Sequence, residues 1–220
     1  ICKRLTNQSL GGCGMVDLFV KGGPFMWPLL GMLFFGLVVS FERLYTLSKA
    51  HVNSKEFFTR VQEALKQGGP EAAAEICSNT PGPVASVLHA GLLRLDRGLD
   101  HVEKAITESG AIEMAFLEKG MVWLSTVANI APLLGFLGTV SGMIGAFEAI
   151  AAAGDVEPSI VASGISEALI TTASGLIIAI PIQAFHNFFV SKIDKIIIDM
   201  QEASTQFVEE LIQLGYGKES

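Results

Sequence analysis

Three long apolar blocks stand out in the pattern of hydrophobic and polar positions along this chain. They cover residues 25–45, 121–153 and 160–190. About 20 consecutive apolar residues suffice for an α-helix to cross the hydrocarbon core of a bilayer. The pattern therefore predicts an all-α membrane protein with three transmembrane helices.

The first block has the flanks of a membrane span. Gly22-Gly23-Pro24 marks its start, and Trp27 and Tyr45 lie near its two ends, where interfacial aromatic residues are common. A cleaved signal peptide is the alternative, with Ser48-Lys49-Ala50 as a loose cleavage site. Because the block is too long and charged residues separate it from that site, we favour the span.

The polar region that follows, residues 46–118, has helical periodicity and predicts a helical lobe. Its apolar stripes are broken at Gly68-Gly69-Pro70 and at Pro81-Gly82-Pro83. We expect Cys77 to fill a small space in the core, and His89 and His101 to lie on the surface. The clearest stripes place apolar residues three or four positions apart, at Phe57, Phe58, Val61 and Leu65, and at Val102, Ala105, Ile106 and Ile112. No strong helix breaker precedes the second block, so one unbroken helix is expected from residue 99 to residue 153.

Small residues recur at helical spacing in the second and third blocks. Such stripes let membrane helices pack closely, since lipid provides no hydrophobic drive for helices to associate. Gly145 and Ala149 extend the stripe of the second block, and Pro132 should bend that helix. The glycines assigned to helix packing are Gly135, Gly138, Gly142, Gly164 and Gly175.

Glu167 is the strongest candidate functional residue because it places a carboxylate inside an apolar span. An ionisable group there costs about 2.5 kcal/mol or more and normally faces a bundle interior or an aqueous path. The hydroxyls of Thr139 and Thr172 can donate and accept hydrogen bonds, as a water-filled proton path requires. The alternative for any membrane threonine is a bond to its own helix carbonyls. The secondary pore candidates are Thr171, Ser174 and Glu148.

Helix geometry separates the two strongest candidates of the third block. Glu167 and Thr172 are five residues apart, which is about 140° around a helix axis. Both cannot point down one narrow axis, whereas a ring of subunits could direct one to a pore and the other to a neighbour. The spans contain no deep Asp, Lys or His, so a partner helix would have to supply the proton-titrating group.

The distribution of basic residues predicts the orientation. Lys and Arg flank the inner ends of all three spans, whereas residues 154–159 contain neither, so the N-terminus is outside and the C-terminus inside. Residues 1–14 are expected to be an extension or a misassigned start, since Met15 opens a natural-looking beginning. The remaining divisions are 15–45 (periplasmic N-terminus and span one), 46–118 (cytoplasmic loop), 119–153 (span two), 154–159 (periplasmic link), 160–190 (span three) and 191–220 (cytoplasmic helix).

Composition and motifs exclude several functional classes. The formal net charge of −7 and the lack of a basic patch argue against a nucleic-acid partner. The three cysteines have no metal-ligand spacing, and there is no P-loop or dinucleotide fingerprint. Because no nucleophile–base pair accompanies the spans, we expect neither an enzyme nor a bound metal or cofactor.

Two segments together carry a family resemblance. Residues 131–144, APLLGFLGTVSGMI, and residues 164–176, GISEALITTASGL, closely resemble the MotA/TolQ/ExbB proton channel family in its ExbB/TolQ branch. The resemblance extends over nearly the whole chain from Met15, and MotA-type chains are less similar because they have four spans. It implies a ring-forming homopentamer in the bacterial inner membrane, in contact with lipid. Spans two and three would line its pore, with Thr139, Glu167 and Thr172 as pore residues.

The resemblance also implies partners and an output. The pore would hold the single-span helices of an ExbD- or TolR-type dimer whose Asp carries protons, and the work would pass to a TonB- or TolA-like protein. Short termini and the run GISEAL favour ExbB, which energises uptake of siderophores, cobalamin or similar cargo. The alternatives are a TolQ-type subunit acting in outer-membrane integrity and division, and a passive scaffold in which Glu167 only pairs with a partner cation.

Overall fold

A computed structural model describes residues 13–50, 54–153 and 158–216. Within these ranges the secondary structure is helical, which confirms the all-α prediction. Three stretches, Met26–Ser48, Leu99–Ala152 and Val161–Gln213, are long and apolar enough to cross a membrane. The α-helices are α1 (Cys13–Lys21), α2 (Met26–Ala50), α3 (Ser54–Asn79), α4 (Pro83–Leu92), α5 (Leu99–Glu118), α6 (Met121–Ala153) and α7 (Pro158–Gln213).

The helices contribute to two compact units. The first unit contains the described residues up to Ser40 together with residues 123–185. Its hydrophobic core is formed by α2, α6 and α7, with the buried residues Met26, Leu29, Ala131, Ile178 and Ala179. Gly36 of α2 packs against Val127 of α6 and Ile182 of α7, so α2 covers one side of the α6–α7 pair.

The second unit contains residues 41–122 and the described residues from His186 onward. Its core follows the predicted stripe of α3, since Phe57, Val61 and Leu65 are buried. The C-terminal part of α7 adds Phe207 and Leu211 to the same core. Along α5 the stripe is only partly correct, because Val102, Ala105 and Ile106 are buried whereas Ile112 is exposed.

Cys77 lies in this core and is 2% exposed, which confirms that it fills a small space there. Burial raises the pKa of its thiol to about 12 because a thiolate would lose its hydration. His101 is exposed as predicted, whereas His89 is half-buried.

The junction between α5 and α6 corrects one prediction. Lys119 leaves the helical conformation with ψ 127°, and Gly120 has φ +88°, so the helix is interrupted there. The expectation of one unbroken helix from residue 99 to 153 is wrong at these two residues. The buried Arg43 donates from Nη1 to the carbonyl oxygen of Leu117, 3.3 Å away, and packs against the Gly120 backbone. The last carbonyls of a helix lack intrahelical donors, and a basic side chain can supply one.

The ends of the chain elements differ from the sequence prediction in two places. The short helix α1 was not predicted, and α7 begins at Pro158, two residues before the expected start at 160. Proline suits the first turn of a helix because its fixed φ is helical and its missing N–H has no helical acceptor there. From that point α7 continues without a break to Gln213, so span three and the helix predicted after residue 190 form one helix. The expectations for residues 1–12 and 154–157 lie outside the described residues.

Candidate functional site

Close contact between the backbones of α6 and α7 forms the scaffold of the site. A Cβ added to Gly175 would lie 2.6 Å from the carbonyl oxygen of Ala131. One added to Gly135 would lie 3.0 Å from the carbonyl oxygen of Thr171. Real Cβ atoms are essentially never found as close to backbone as 2.6 Å, so Gly175 needs to be glycine for the helices to approach as they do. A Cβ at Gly135 would be tighter than most real contacts and would push the α7 backbone away by a few tenths of an ångström.

The same contact continues along both helices toward the α6–α7 connection. Gly142 faces the backbone of Gly164 and Ala168, and Gly164 faces Ala146. All five glycines assigned to packing from the sequence thus lie between α6 and α7. Gly145 differs, since no atom of this chain lies within 4 Å of a Cβ added to it, and it lines the same cavity as Gly142 and Ala149.

Thr171 occupies the space that Gly138 leaves empty. Its side chain is 1% exposed, and a Cβ added to Gly138 would lie 2.5 Å from the Thr171 hydroxyl oxygen. That hydroxyl donates to the carbonyl of Ala168 at 2.8 Å within its own helix. Thr171 is therefore buried between α6 and α7 of this chain.

Thr139 and Thr172 both donate hydrogen bonds to carbonyls of α6. The Thr172 hydroxyl crosses from α7 and donates to the carbonyl oxygen of Gly135, 3.0 Å away. The Thr139 hydroxyl donates to the next carbonyl of α6, that of Phe136, at 2.6 Å, which is the bond to its own helix that the alternative for a membrane threonine predicts. Each hydroxyl uses its single proton in this way, and its oxygen lone pairs remain available to accept from a third group.

Glu167 lies elsewhere on α7. It is about 140° around the helix from Thr172, and its carboxylate oxygen Oε1 contacts the backbone of Gly23 in the turn between α1 and α2. Gly23 has φ +70°, a conformation that favours glycine. A Cβ on this residue would overlap the carboxylate. The sequence identified the Gly22-Gly23-Pro24 turn only as a helix start, and its contact with the carboxylate was missed.

A cavity of about 560 Å³ opens beside Glu167. Its walls include Pro24 and the serines Ser141, Ser159 and Ser163, with small residues of α6 and α7 between them. Serine hydroxyls and one carboxylate make this a polar space that can hold water. The carboxylate thus faces this polar cavity and not the surface that carries Thr139 and Thr172.

The two remaining candidates are separate from both groups. Ser174 donates to the carbonyl of Ile170 at 2.8 Å, the local bond expected of a helical serine. Glu148 is exposed near the end of α6. In the described part of the chain, no three His, Cys, Asp or Glu side chains come together in a way that could hold a metal ion.

Comparison with known proteins places this arrangement in a family. The sequence profile of the MotA/TolQ/ExbB proton channel family matches residues 79–202, which is more than half of the chain. The chain belongs to this family. Members of the MotA/TolQ/ExbB family are channel or transport subunits and not enzymes.

Relatives within the family carry ExbB and TolQ names. An ExbB homologue for biopolymer transport from Methanothermobacter thermautotrophicus is 28% identical over 82% of this chain. An ExbB-like protein from Synechocystis is 33% identical over 76% of it. These alignments cover 64% and 66% of the two relatives, so the chain spans a little under two thirds of their length. The Tol-Pal system protein TolQ of Haemophilus influenzae is 37% identical over 48% of the chain and 46% of its own length.

The matched region of this MotA/TolQ/ExbB chain contains both threonines and Glu167. Relatives of both names, ExbB and TolQ, are similar to it. The sequence signals that identified the two threonines were their motif and the flanking glycines. The motif and the glycines did not predict that the two hydroxyls bind neighbouring carbonyls of one helix.

Proposed function

We propose that this chain is the ring-forming subunit of a proton-driven motor in the bacterial inner membrane. With an ExbD-type single-span partner it would energise TonB-dependent outer-membrane transport of siderophores, cobalamin or similar cargo. The observation that carries the proposal is the pairing of Thr139 and Thr172 on the carbonyls of Phe136 and Gly135. Each hydroxyl donates to one of two consecutive carbonyls of α6, and a hydroxyl oxygen can also accept a hydrogen bond, which suits a path along which water carries protons.

Each candidate residue has a role in this proposal. Thr139 and Thr172 are the hydroxyls that line the path in a pentameric ring. Glu167 is a polar element reached through the serine-lined cavity, and it works beside a partner's Asp without being the proton carrier. Thr171 belongs to helix packing, and Ser174 and Glu148 lie away from the threonine pair.

The partner supplies what this chain lacks. A proton relay needs a group that gains and loses a proton, and neither threonine hydroxyl does so at physiological pH. The exposed apolar side chains of α6 and α7, such as Leu133, Phe136, Leu169 and Ile177, offer surface for other helices or for lipid. This supports an assembly in which neighbouring copies and partner helices complete the pore.

A TolQ-type role is the second candidate, supported by the similarity to the Haemophilus influenzae TolQ protein. In that case the same proton-driven motion would act through a TolA-like protein on outer-membrane integrity and division. The difference lies in the output protein and not in the threonine pair. A non-conducting scaffold is the third possibility and predicts that the threonine hydroxyls are dispensable.

The proposal is tested by producing the full chain with an ExbD-type partner in a Gram-negative host that lacks both ExbB and TolQ. We expect siderophore-dependent growth under iron limitation to be restored, and Thr139→Ala and Thr172→Ala to abolish it while the complex still assembles on native gels. Restored resistance to bile salts without siderophore-dependent growth would indicate the TolQ role. Normal growth of both threonine variants would exclude the pore, and failure of Glu167→Ala to assemble would favour the scaffold.

A further inference from the structure

Asn129 places a carboxamide on the exposed surface of an apolar helix. Its Nδ2 donates to the carbonyl of Ser125 at 2.8 Å and to the Ser125 hydroxyl at 3.3 Å, both within α6. Neither bond uses the amide oxygen Oδ1. An exposed carboxamide is unfavourable against hydrocarbon, and polar residues of membrane spans face bundle interiors or water. The side chain therefore needs a polar environment outside its own chain.

The position of Asn129 relates it to the threonine pair. It precedes Thr139 by ten residues, which places it about 80° around α6 and about 15 Å along the axis. Val127, which packs against Gly36 of α2, is about 160° away from Asn129 in the other direction. The carboxamide thus lies on the side of α6 that α2 leaves uncovered, the same side as Thr139.

Gln183 has the matching position on α7. It follows Thr172 by eleven residues, which is about 20° around the helix and about 16 Å along it. Ile182, the α7 contact of Gly36, is about 100° away from it. Gln183 is exposed, so α7 also carries a second polar residue on its threonine side.

The register of the two helices brings these amides toward the same level. α6 and α7 are antiparallel, and the contact of Gly175 with Ala131 lies beyond the threonine pair as seen from the α6–α7 connection. With increasing distance from that connection, residue numbers decrease along α6 and increase along α7. Asn129 and Gln183 are therefore displaced from Thr139 and Thr172 in the same direction and by almost the same distance. Leu176 of α7 and Pro132 of α6 lie in between.

We propose that Asn129 and Gln183 form a second polar layer of the conduction path, about 15 Å inward of the threonine pair. This inference rests on the proposed function, because it assumes that the threonine side of the α6–α7 pair faces a pore. A carboxamide both donates and accepts but does not titrate, so this layer orients water and holds no proton. Asn129 and Gln183 are positioning residues for proton transfer between water molecules.

Cysteine accessibility tests the layer directly. In inverted membrane vesicles containing the chain and its partner, Asn129→Cys and Gln183→Cys are treated with a charged, membrane-impermeant methanethiosulfonate. Cys2 and Cys13 are replaced by serine, while the buried Cys77 can stay because its raised pKa suppresses the reactive thiolate. The controls are Ile130→Cys and Ile177→Cys, which are exposed on the neighbouring surfaces of the same helices.

We expect the two amide positions to react about tenfold faster than the controls, since only a hydrated thiol ionises and meets a charged reagent. Equal rates at amide and control positions, or no reaction at Asn129→Cys and Gln183→Cys, would overturn the proposal. The labelling does not depend on coupling to a TonB- or TolA-like protein. Asn129→Cys and Gln183→Cys can thus react rapidly even if normal growth of Thr139→Ala and Thr172→Ala contradicts the proposed motor function.

A measurement of proton flux distinguishes residues that take part in conduction from residues that only contact water. Partner-dependent proton entry into vesicles should fall about fivefold in Asn129→Leu and remain within about twofold in Asn129→Ser, which keeps a hydrogen-bonding group. Native gels confirm that both variants assemble. Unchanged flux in an assembled Asn129→Leu complex would remove Asn129 from the path whatever the labelling result.

Discussion

The hydroxyl of Thr172 donates to the carbonyl oxygen of Gly135 across the α6–α7 contact, at 3.0 Å. Only a glycine-lined contact allows this bond, because a short threonine side chain reaches the opposite backbone when the helices are very close. The bond fixes the direction in which the hydroxyl oxygen presents its lone pairs. Packing and the proposed path therefore depend on the same residue pair.

Replacement of Thr172 by valine should remove this bond without changing side-chain volume. We expect a loss of about 1 kcal/mol in stability, typical of a helix–helix hydrogen bond in membranes, and a large loss of proton-dependent uptake. Thr171→Val is the matched control, because the Thr171 hydroxyl donates to a carbonyl of its own helix α7 and is buried. The measurements are thermal unfolding in detergent micelles and siderophore-dependent growth. Equal loss of uptake in both variants would contradict the assignment.

Gly175→Ala should destabilise the α6–α7 contact. The new Cβ would meet the carbonyl oxygen of Ala131, which is backbone and cannot rotate away, so we expect a cost of about 1–3 kcal/mol. Gly145→Ala adds the same atom where nothing lies within 4 Å and should change stability by less than about 0.5 kcal/mol. Unfolding in micelles by a denaturing detergent compares the two, and similar costs would argue against the close contact.

Gly23→Ala should displace the carboxylate of Glu167. The substitution strains a backbone of φ +70° by about 1 kcal/mol and also overlaps the carboxylate. In a Glu167→Ala background the overlap disappears, so Gly23→Ala should cost less there, and a double-mutant cycle measures the coupling. Gly31→Ala, with no atom within 4 Å of the new Cβ, is the control for a glycine in the same region. An additive cycle would mean that the two residues do not interact.

Cys77 should make the stability of the second unit depend on alkaline pH. The pKa of its thiol rises from the ordinary 9.0 to about 12 on folding, because burial disfavours the thiolate. The folded state therefore retains the proton that the unfolded state loses above pH 9, and this contribution to stability is lost progressively as the pH rises from about 9 to about 12.

The check is a comparison of unfolding free energies at pH 8 and pH 10 for the natural chain and for Cys77→Ala. The natural chain should lose more stability between these pH values than the variant does. Alkylation of Cys77 at pH 8 should also be slow until the chain is unfolded. Rapid alkylation of the folded protein would show that the thiol is accessible.

Much of the fold follows from periodicity alone. Phe57, Val61 and Leu65 recur every four residues, and a helix that carries such a stripe must bury it. The length of the apolar blocks predicts the spans, because the bilayer thickness sets a minimum helix length. The glycines of the α6–α7 contact were also predictable, since membrane helices approach closely only through small side chains.

Other features depend on neighbours that are remote in sequence. When residues 99–153 are considered alone, their sequence is compatible with a continuous helix through Gly120. In the structure Arg43, more than seventy positions earlier, packs against Gly120 and binds the carbonyl of Leu117. A single glycine tolerates both a helical and a left-handed conformation, and here the contact with a buried side chain accompanies the left-handed one.

The helices, the number of apolar spans and the residues capable of polar chemistry follow from the sequence, because each depends on local periodicity, length or side-chain type. The contacts of those residues depend on how the helices pack. It directs Thr172 to Gly135, buries Thr171 against Gly138, and turns Glu167 toward the Gly23 backbone. Neighbouring positions on a helix point in different directions, so the function open to each depends on which surface its neighbours leave uncovered.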